Sequence, residues 1–150
     1  MEYLAEYMFL EQLRITGRFE YFIDAEKTID AEKIHIPNMM IQPVVENCIR
    51  HGIKSLEQRK GIINVHFKMN EGKLTCTVKD NGIGRKNSAS ESADLIKHKS
   101  YGIDIIEKRL KVFEELNDEQ MGVEIKDLFN DDATPAGTEV ILQLPYKITV

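Results

Sequence analysis

The sequence has few cysteines and no long apolar run, and each shortage excludes a class of protein. Cys48 and Cys76 are its only cysteines and lie outside any CxxC or Cys/His cluster, so neither a zinc site nor a disulfide framework is indicated. No segment approaches the roughly 18 apolar residues of a transmembrane helix, and acidic residues stand where a signal peptide carries basic ones. We therefore expect a cytosolic protein, or a cytosolic part of a larger one, with both cysteines as small buried hydrophobic residues.

The sequence also lacks a concentrated stripe of basic residues. With a formal charge of −5, it is not expected to bind nucleic acid through the phosphate backbone. A small anionic ligand is compatible with this charge, because such a ligand needs only local donors. The 150 residues are 42% hydrophobic and 30% charged, which is typical of one soluble folded domain.

The spacing of apolar residues predicts the secondary structure. Helical spacing occurs at residues 1–15 and 101–116, and a further helix is predicted over residues 37–51, regular only from about Gln42 because Pro43 lacks an N–H. Alternation predicts strands at residues 18–24, 62–69, 73–79, 123–129 and 139–144. Residues 80–100 lack apolar periodicity and are predicted to be a long loop. Together these elements predict an α/β two-layer sandwich, with a mixed, mostly antiparallel sheet covered on one face by helices.

Two motifs carry the strongest functional signal. Residues 36–52 contain Ile-Pro, then Gln-Pro, then Val-Glu-Asn and finally His-Gly, and residues 80–84 read DNGIG. Further on come EKRL at 107–110 and GTEVILQLP at 137–145. In this order the segments resemble the N box, the G1 box and the final Gly-Thr of a GHKL (Bergerat-fold) ATP-binding domain. The match is closest to the LytS/YehU type of two-component sensor histidine kinase.

This resemblance implies an ATP-binding catalytic domain at residues 17–150, with ATP and Mg²⁺ as cofactors. Residues 1–16 would be the end of a helical connection to a dimerisation and phosphoacceptor region. No His-Phe-x-x-Asn phosphoacceptor motif precedes the N box, where the family carries it; the HFKMN at residues 66–70 comes after the N box, along the strand predicted at 62–69. The γ-phosphoryl of ATP would therefore pass to a histidine outside this sequence and later to a response regulator. The full-length protein would be a homodimer attached to the membrane, with this domain in the cytoplasm.

The N box resemblance assigns catalytic roles to Glu46 and Asn47. Asn47 would bind Mg²⁺, which prefers hard oxygen ligands and tolerates a neutral amide oxygen beside phosphates. Glu46 has two interpretations, orienting metal-bound water or pairing with Arg50 one helical turn later. In hydrolysing relatives the water-activating carboxylate lies four residues before the metal Asn. That position is Pro43 here, which favours a protein that holds ATP over one that hydrolyses it.

The end of the same helix carries candidate phosphate-binding residues. Arg50, His51 and Lys54 would place positive charge there. For His51, a satisfied and partly buried histidine is an equally good interpretation.

The G1 resemblance assigns the base-binding residues. Asp80 would accept a hydrogen bond from the exocyclic amine of adenine, which guanine replaces with a carbonyl. Gly82 and Gly84 would let the backbone approach the purine. Thr138 would hydrogen-bond to Asp80 directly or through water, although an ordinary strand residue is the alternative interpretation.

The family's G2 box is altered in this chain. Ser100 and Ile105 replace a Gly and an Asn of the family pattern, and only Gly102 is kept. A helix beginning at Gly102, with Ser100 as its cap, would still offer N–H groups to phosphate, but Asp104 would repel it. Two alternatives therefore stand beside the kinase: a degenerate nucleotide-binding or interaction module without kinase activity, and another GHKL enzyme, either a hydrolysing ATPase or a protein serine kinase.

Overall fold

A computed structural model of the protein describes residues 2–54, 56, 59–85, 93–117 and 120–149, with the backbone alone at 93–102 and 117. Helix α1 spans Glu2–Arg14, α2 spans Gln42–Asn47 and continues as a π-helical turn at Cys48–Ile53, and α3 spans Ala93–Asn117. None of the helices in this part of the chain combines the length and apolar composition needed to cross a bilayer. The strands are β1 (Phe19–Ala25), β2 (Ile34–His35), β3 (Gly61–Asn70), β4 (Lys73–Asp80), β5 (Gly122–Phe129), β6 (Pro135–Leu144) and β7 (Lys147–Ile148).

The main sheet has five strands in the order β1-β3-β4-β6-β5. β1 pairs with β3 in parallel, while the β3–β4, β4–β6 and β5–β6 pairs are antiparallel. β2 and β7 form a separate two-stranded antiparallel sheet. This arrangement confirms the predicted α/β fold with a mixed, mostly antiparallel sheet.

The core lies between the helices and one face of the sheet. α1 contributes Met8, α2 contributes Val44 and Val45, and α3 contributes Ile106 and Leu110, all of them fully or almost fully buried. In β4 the burial alternates, with Leu74, Cys76 and Val78 inside, as the period of two in a strand requires. Burial of this apolar surface is the main favourable term in folding.

The opposite face of the sheet carries pairs of charged and polar side chains near the junction of β1 and β3. Lys60 pairs with Glu20 at 2.7 Å, and His66 with Asp24 at 2.9 Å. Side chains of neighbouring strands stand close enough on one face for such pairs to stabilise the strand register. The parallel edge strand β1 thus makes polar side-chain contacts on one face and packs against the core on the other.

Helix α2 begins where Pro43 allows it. The proline occupies the first turn, where its missing N–H costs nothing, and the predicted start near Gln42 is confirmed. The predicted end at His51 is wrong, because the chain continues through Gly52 to Ile53 in a π-helical turn. Such turns are rare in proteins, and a large share of those that exist lie at functional sites.

The structure also corrects the start of α3. Residues 93–100 belong to this helix, so the prediction of a loop is wrong there, and residues 86–92 lie outside the described residues. Ala, Leu and Lys in this stretch favour helix even without an apolar stripe. Gly102 therefore lies inside α3 and does not begin it, and Ser100 does not cap it. Strand β6 likewise begins at Pro135, four residues before the predicted start.

Tyr7 gives the fold a testable pH dependence. Burial, followed by the negative charges of Glu11 and Glu46, raises the pKa of Tyr7 from 10.0 to about 12. Between these two values the unfolded chain loses the phenolic proton and the folded protein keeps it. The stabilisation is therefore complete below pH 10 and is lost as the pH rises towards 12.

We expect the free energy of unfolding of the wild type to fall more steeply than that of Tyr7→Phe above pH 10. Urea titrations at pH 8 and pH 11 measure this difference. Tyr3→Phe, on the exposed side of the same helix, is the matched control. Parallel pH profiles of the wild type and Tyr7→Phe would contradict the assignment.

Candidate functional site

A cavity of about 360 Å³ opens between the α2 π-turn, α3, the end of β4 and the middle of β5 and β6. Its apolar lining comes from Val44, Ile103, Ile125 and Val140. Its polar lining includes Asn47, His51, Asp80, Asp104 and Thr138. Apolar walls with a few polar groups are typical of a small-molecule site.

The structure brings together five of the residues that the sequence singled out. Asn47, His51, Asp80, Gly84 and Thr138 all line the cavity. Gly82 is buried just behind the lining, packed against Gly52. Glu46, Arg50 and Lys54 lie outside the lining, and Gly102 lies within the backbone of α3.

Asp80 is the buried polar centre of the cavity, with 2% of its surface exposed. Its Oδ1 accepts a hydrogen bond from the Gly82 N–H at 2.7 Å, and the Thr138 hydroxyl donates directly to its Oδ2. Asp80 and Thr138 are opposite each other in the β4–β6 register, which fixes this contact. A buried carboxylate is costly unless such donors satisfy it. Of the two predicted forms of the Thr138 contact, the structure shows the direct one.

Cys48 also faces this carboxylate. Burial raises the pKa of the Cys48 thiol well above its ordinary value, and the negative charge of Asp80 and a hydrogen bond to it act in the same direction. The thiol thus stays protonated and can donate to Asp80. The sequence predicted a buried cysteine, and it is buried, but nothing in the sequence placed it on the cavity lining beside Asp80.

The turn after Asp80 is fixed by its neighbours. The Asn81 side-chain oxygen accepts the Ile62 N–H at 2.7 Å, and the Ile83 N–H donates to the Gly52 carbonyl at 3.2 Å. Arg59 donates to the Asn81 carbonyl at 2.6 Å. The DNGIG motif is therefore anchored to both β3 and the π-turn.

Two glycine positions in this region leave no room for a side chain. A Cβ on Gly82 would lie 2.4 Å from the Cα of Gly52. Gly137 has φ +125°, and a Cβ there would lie 2.0 Å from the Asp80 carbonyl oxygen. These contacts bring the π-turn and β6 against the end of β4.

Glu46 and Arg50 pair with each other at the surface of the π-turn. Arg50 Nε lies 3.2 Å from Glu46 Oε1, and both side chains are 40% or more exposed. This is one of the two interpretations of Glu46, and the other, a role towards metal-bound water, stays a prediction. His51 is 5% exposed and lines the cavity, which agrees with either interpretation of that residue.

Sequence analysis missed Arg85 and Asp127. Arg85 lines the cavity directly after Gly84, and its guanidinium pairs with Asp127 of β5. No motif signals this pair, because the two residues are 42 positions apart and meet only through the sheet.

The oxygen atoms on the cavity lining fit a magnesium ion that is bound jointly by the protein and by a ligand. Asn47 offers a hard amide oxygen on the cavity lining. Among the described residues, no group of three or more His, Cys, Asp or Glu side chains is placed to hold a metal alone. Mg²⁺ commonly keeps several waters and binds through one or two protein oxygens together with phosphates.

The Gly52–Gly82 contact predicts a steric effect of substitution. We expect Gly82→Ala to reduce the free energy of unfolding by about 1–3 kcal/mol, the usual cost of overpacking. Gly122→Ala is the control, because its Cβ would meet no atom within 4 Å. Urea unfolding of both variants measures the difference, and equal stability of the two would show that the close approach does not constrain the fold.

The chain is similar in sequence to several sensor kinases. No family model matches the chain. It is 34% identical over 91 residues to a sensor-like histidine kinase of Staphylococcus epidermidis, covering 61% of this chain and 17% of that protein. It is 36% identical over 86 residues to the sensor protein LytS of Staphylococcus haemolyticus, covering 56% of this chain and 14% of LytS. The chain therefore spans less than a fifth of the length of these relatives.

The fold has a solved counterpart. The catalytic domain of histidine kinase ThkA, in a nucleotide-free form, superimposes with a TM-score of 0.59 over 99% of this chain and 94% of that one, at 15% identity. At this sequence identity the structural similarity establishes the fold alone, and the family relationship comes from the sequence relatives above. Together they identify the chain as a LytS-like, HATPase-type domain of the sensor histidine kinase family.

Proposed function

We propose that the cavity binds ATP with Mg²⁺ and that the chain is the catalytic domain of a sensor histidine kinase. The observation that carries this proposal is the buried Asp80 carboxylate, held by Gly82 and Thr138, on the same cavity as Asn47. A histidine outside this sequence would receive the γ-phosphoryl group. Catalysis in such a domain consists mainly of positioning and of charge neutralisation.

Asp80 is proposed as the acceptor for adenine. A carboxylate offers about four lone-pair positions. Gly82 and Thr138 donate to it from within the protein, which leaves lone-pair positions for a donor from a ligand. The exocyclic amine of adenine supplies such a donor, and the carbonyl of guanine does not.

The apolar lining suits the faces of a purine. Val44 of the helical layer and Val140 of the sheet contribute to the same cavity, and Ile103 and Ile125 widen this lining. Excluding water from the site strengthens the hydrogen bonds at Asp80, since the local dielectric falls. The apolar side chains would thus supply affinity and the carboxylate would supply specificity.

Asn47 is proposed as the Mg²⁺ ligand, and Mg²⁺ when bound would neutralise phosphate charge. Pro43 stands four residues earlier, so the helix offers no carboxylate there to activate water. Glu46 is already paired with Arg50 at the surface. These features favour a site that preserves ATP for a protein acceptor, and they disfavour a hydrolysing ATPase.

The phosphate contacts proposed for Arg50, His51 and Gly102 rest on different support. His51 lines the cavity, as does Gly84, whose proposed role is to let the backbone approach the purine. Arg50 would have to break its ion pair with Glu46 in order to contact the ligand. Gly102 would contribute only its backbone, from within α3. The non-kinase alternative gains some support from Asp104 on the lining, but the similarity to sensor kinases does not favour it.

The rest of the signalling protein is also proposed. Residues 1–16 would connect the domain to a dimerisation and phosphoacceptor region, and a response regulator would take the phosphoryl group from there. Helix α1 supports this, because Tyr3, Phe9, Leu10 and Leu13 are each more than half exposed on the side away from the core. Attachment to a membrane and a homodimeric whole protein, with this domain in the cytoplasm, follow from the same proposal.

Calorimetric titration with β,γ-imido-ATP in the presence of Mg²⁺ tests the site. We expect Asp80→Asn to weaken binding by about tenfold or more, the usual effect of losing a hydrogen bond to a charged group. Asn47→Ala should weaken binding in Mg²⁺ and change it little in EDTA. Asp131→Asn and Asn64→Ala, both exposed outside the cavity lining, are the matched controls.

The folded state of each variant is checked by circular dichroism, because Asp80 also supports the turn after β4. Unchanged affinity in both site variants would contradict the roles assigned to Asp80 and Asn47. Absence of any binding by the wild type, in millimolar Mg²⁺, would favour the non-kinase module.

A further inference from the structure

A bidentate ion pair joins the DNGIG turn to the edge of the sheet. The Arg85 Nε donates to Asp127 Oδ1 at 2.7 Å, and Nη2 donates to Oδ2 at 3.0 Å. Arg85 follows Gly84 and lines the cavity, and Asp127 lies on β5 two residues after Ile125, another lining residue. The pair therefore stands at the cavity and not on a remote surface.

The strand register places this pair beside the proposed adenine site. Asp80 is opposite Thr138 between β4 and β6, and Thr138 is opposite Asp127 between β6 and β5. Residues opposite each other on paired strands project from the same face. Asp80, Thr138 and Asp127 thus form a polar row across three strands, with its two carboxylates roughly 10 Å apart at the usual strand spacing.

The two carboxylates of this row have different partners. Asp80 receives uncharged donors, the Gly82 N–H and the Thr138 hydroxyl. Asp127 receives a guanidinium, whose planar fork matches a carboxylate in two hydrogen bonds. Each partner of the ion pair offsets the charge of the other, so Arg85 and Asp127 together present little net charge to a ligand beside Asp80.

We infer that the Arg85–Asp127 pair is a specificity-determining element that adds no net charge to the base end of the cavity, so that Asp80 acts there on the ligand. Without Asp127, Arg85 would attract the phosphates of a nucleotide to the end where the base belongs. Without Arg85, Asp127 would repel those phosphates and would compete with Asp80 for the exocyclic amine. The intact pair favours one orientation, with the base at Asp80 and the phosphates away from it. This inference rests on the proposed nucleotide site.

The test compares two ligands that share the base and differ in charge, adenosine and β,γ-imido-ATP with Mg²⁺. We expect Arg85→Met to lower the ratio of triphosphate to adenosine affinity by about threefold to tenfold, a Coulomb effect over several ångströms at a protein surface. Asp127→Asn should raise the ratio by a similar factor. The double variant Arg85→Met/Asp127→Asn, which carries neither charge, should return the ratio close to that of the wild type.

A purely structural role of the pair predicts a different pattern. It would change both affinities by the same factor and leave the ratio constant, and the double variant would be no better than the single ones; either result would overturn the inference. Salt gives a second readout, since screening should shrink the shifts in ratio at high ionic strength. Arg85→Lys keeps the charge and should keep the ratio, which covers the case in which Arg85→Met does not fold.

The outcome for the wild type separates the two proposals. If the wild type binds neither adenosine nor the triphosphate analogue, the proposed function fails and the inference fails with it. If the wild type binds both and the ratio is the same in all variants, the nucleotide site stands and only the role of the ion pair is lost.

Discussion

The burial of Asp80 is the constraint on which the arrangement of the site depends. A carboxylate with 2% of its surface exposed needs donors from the protein, because little of it is open to water. One of these donors is the Gly82 N–H, and it reaches Asp80 only if the chain turns immediately after β4. That turn brings Gly82 against Gly52, and it brings the Asp80 carbonyl against Gly137. Glycines from three separate motifs are thus needed so that the buried Asp80 carboxylate can receive its hydrogen bonds.

The π-turn has a place in the same arrangement. By continuing past Asn47 in a wider turn, the chain carries Gly52 to the DNGIG segment, where its carbonyl accepts the Ile83 N–H. The same turn puts Asn47, Cys48 and His51 on the cavity lining, while Arg50 faces solvent. An ordinary helix ending at His51 would lack the contacts between Gly52 and the end of β4. The irregularity of this helix and the geometry of the site are therefore one feature.

Local patterns could be predicted from the sequence, and long-range pairings could not. The β3–β4 hairpin follows from alternation and a turn at Asn70–Lys73, both of which are properties of adjacent residues. The parallel pairing of β1 with β3 joins Phe19 to Gly61, and nothing near either residue signals it. The first turns of α3 were missed because residues 93–100 have helix-forming side chains without an apolar stripe. At the site, motif resemblance found Asp80, Asn47 and Thr138, whereas Cys48 and the Arg85–Asp127 pair depend on the assembled sheet.

The length of α3 changes how phosphate can be bound. The free N–H groups of a helix, which attract anions, belong to its first turn. Here the helix is already formed at Ala93, nine residues before Gly102, which corresponds to about 13 Å along a helix axis. The N–H groups near Gly102 are used within the helix, and Asp104 adds negative charge on the cavity lining. On the proposed assignment, the metal at Asn47 would therefore neutralise most of the phosphate charge, while Asp80, beside the neutral Arg85–Asp127 pair, would select the base.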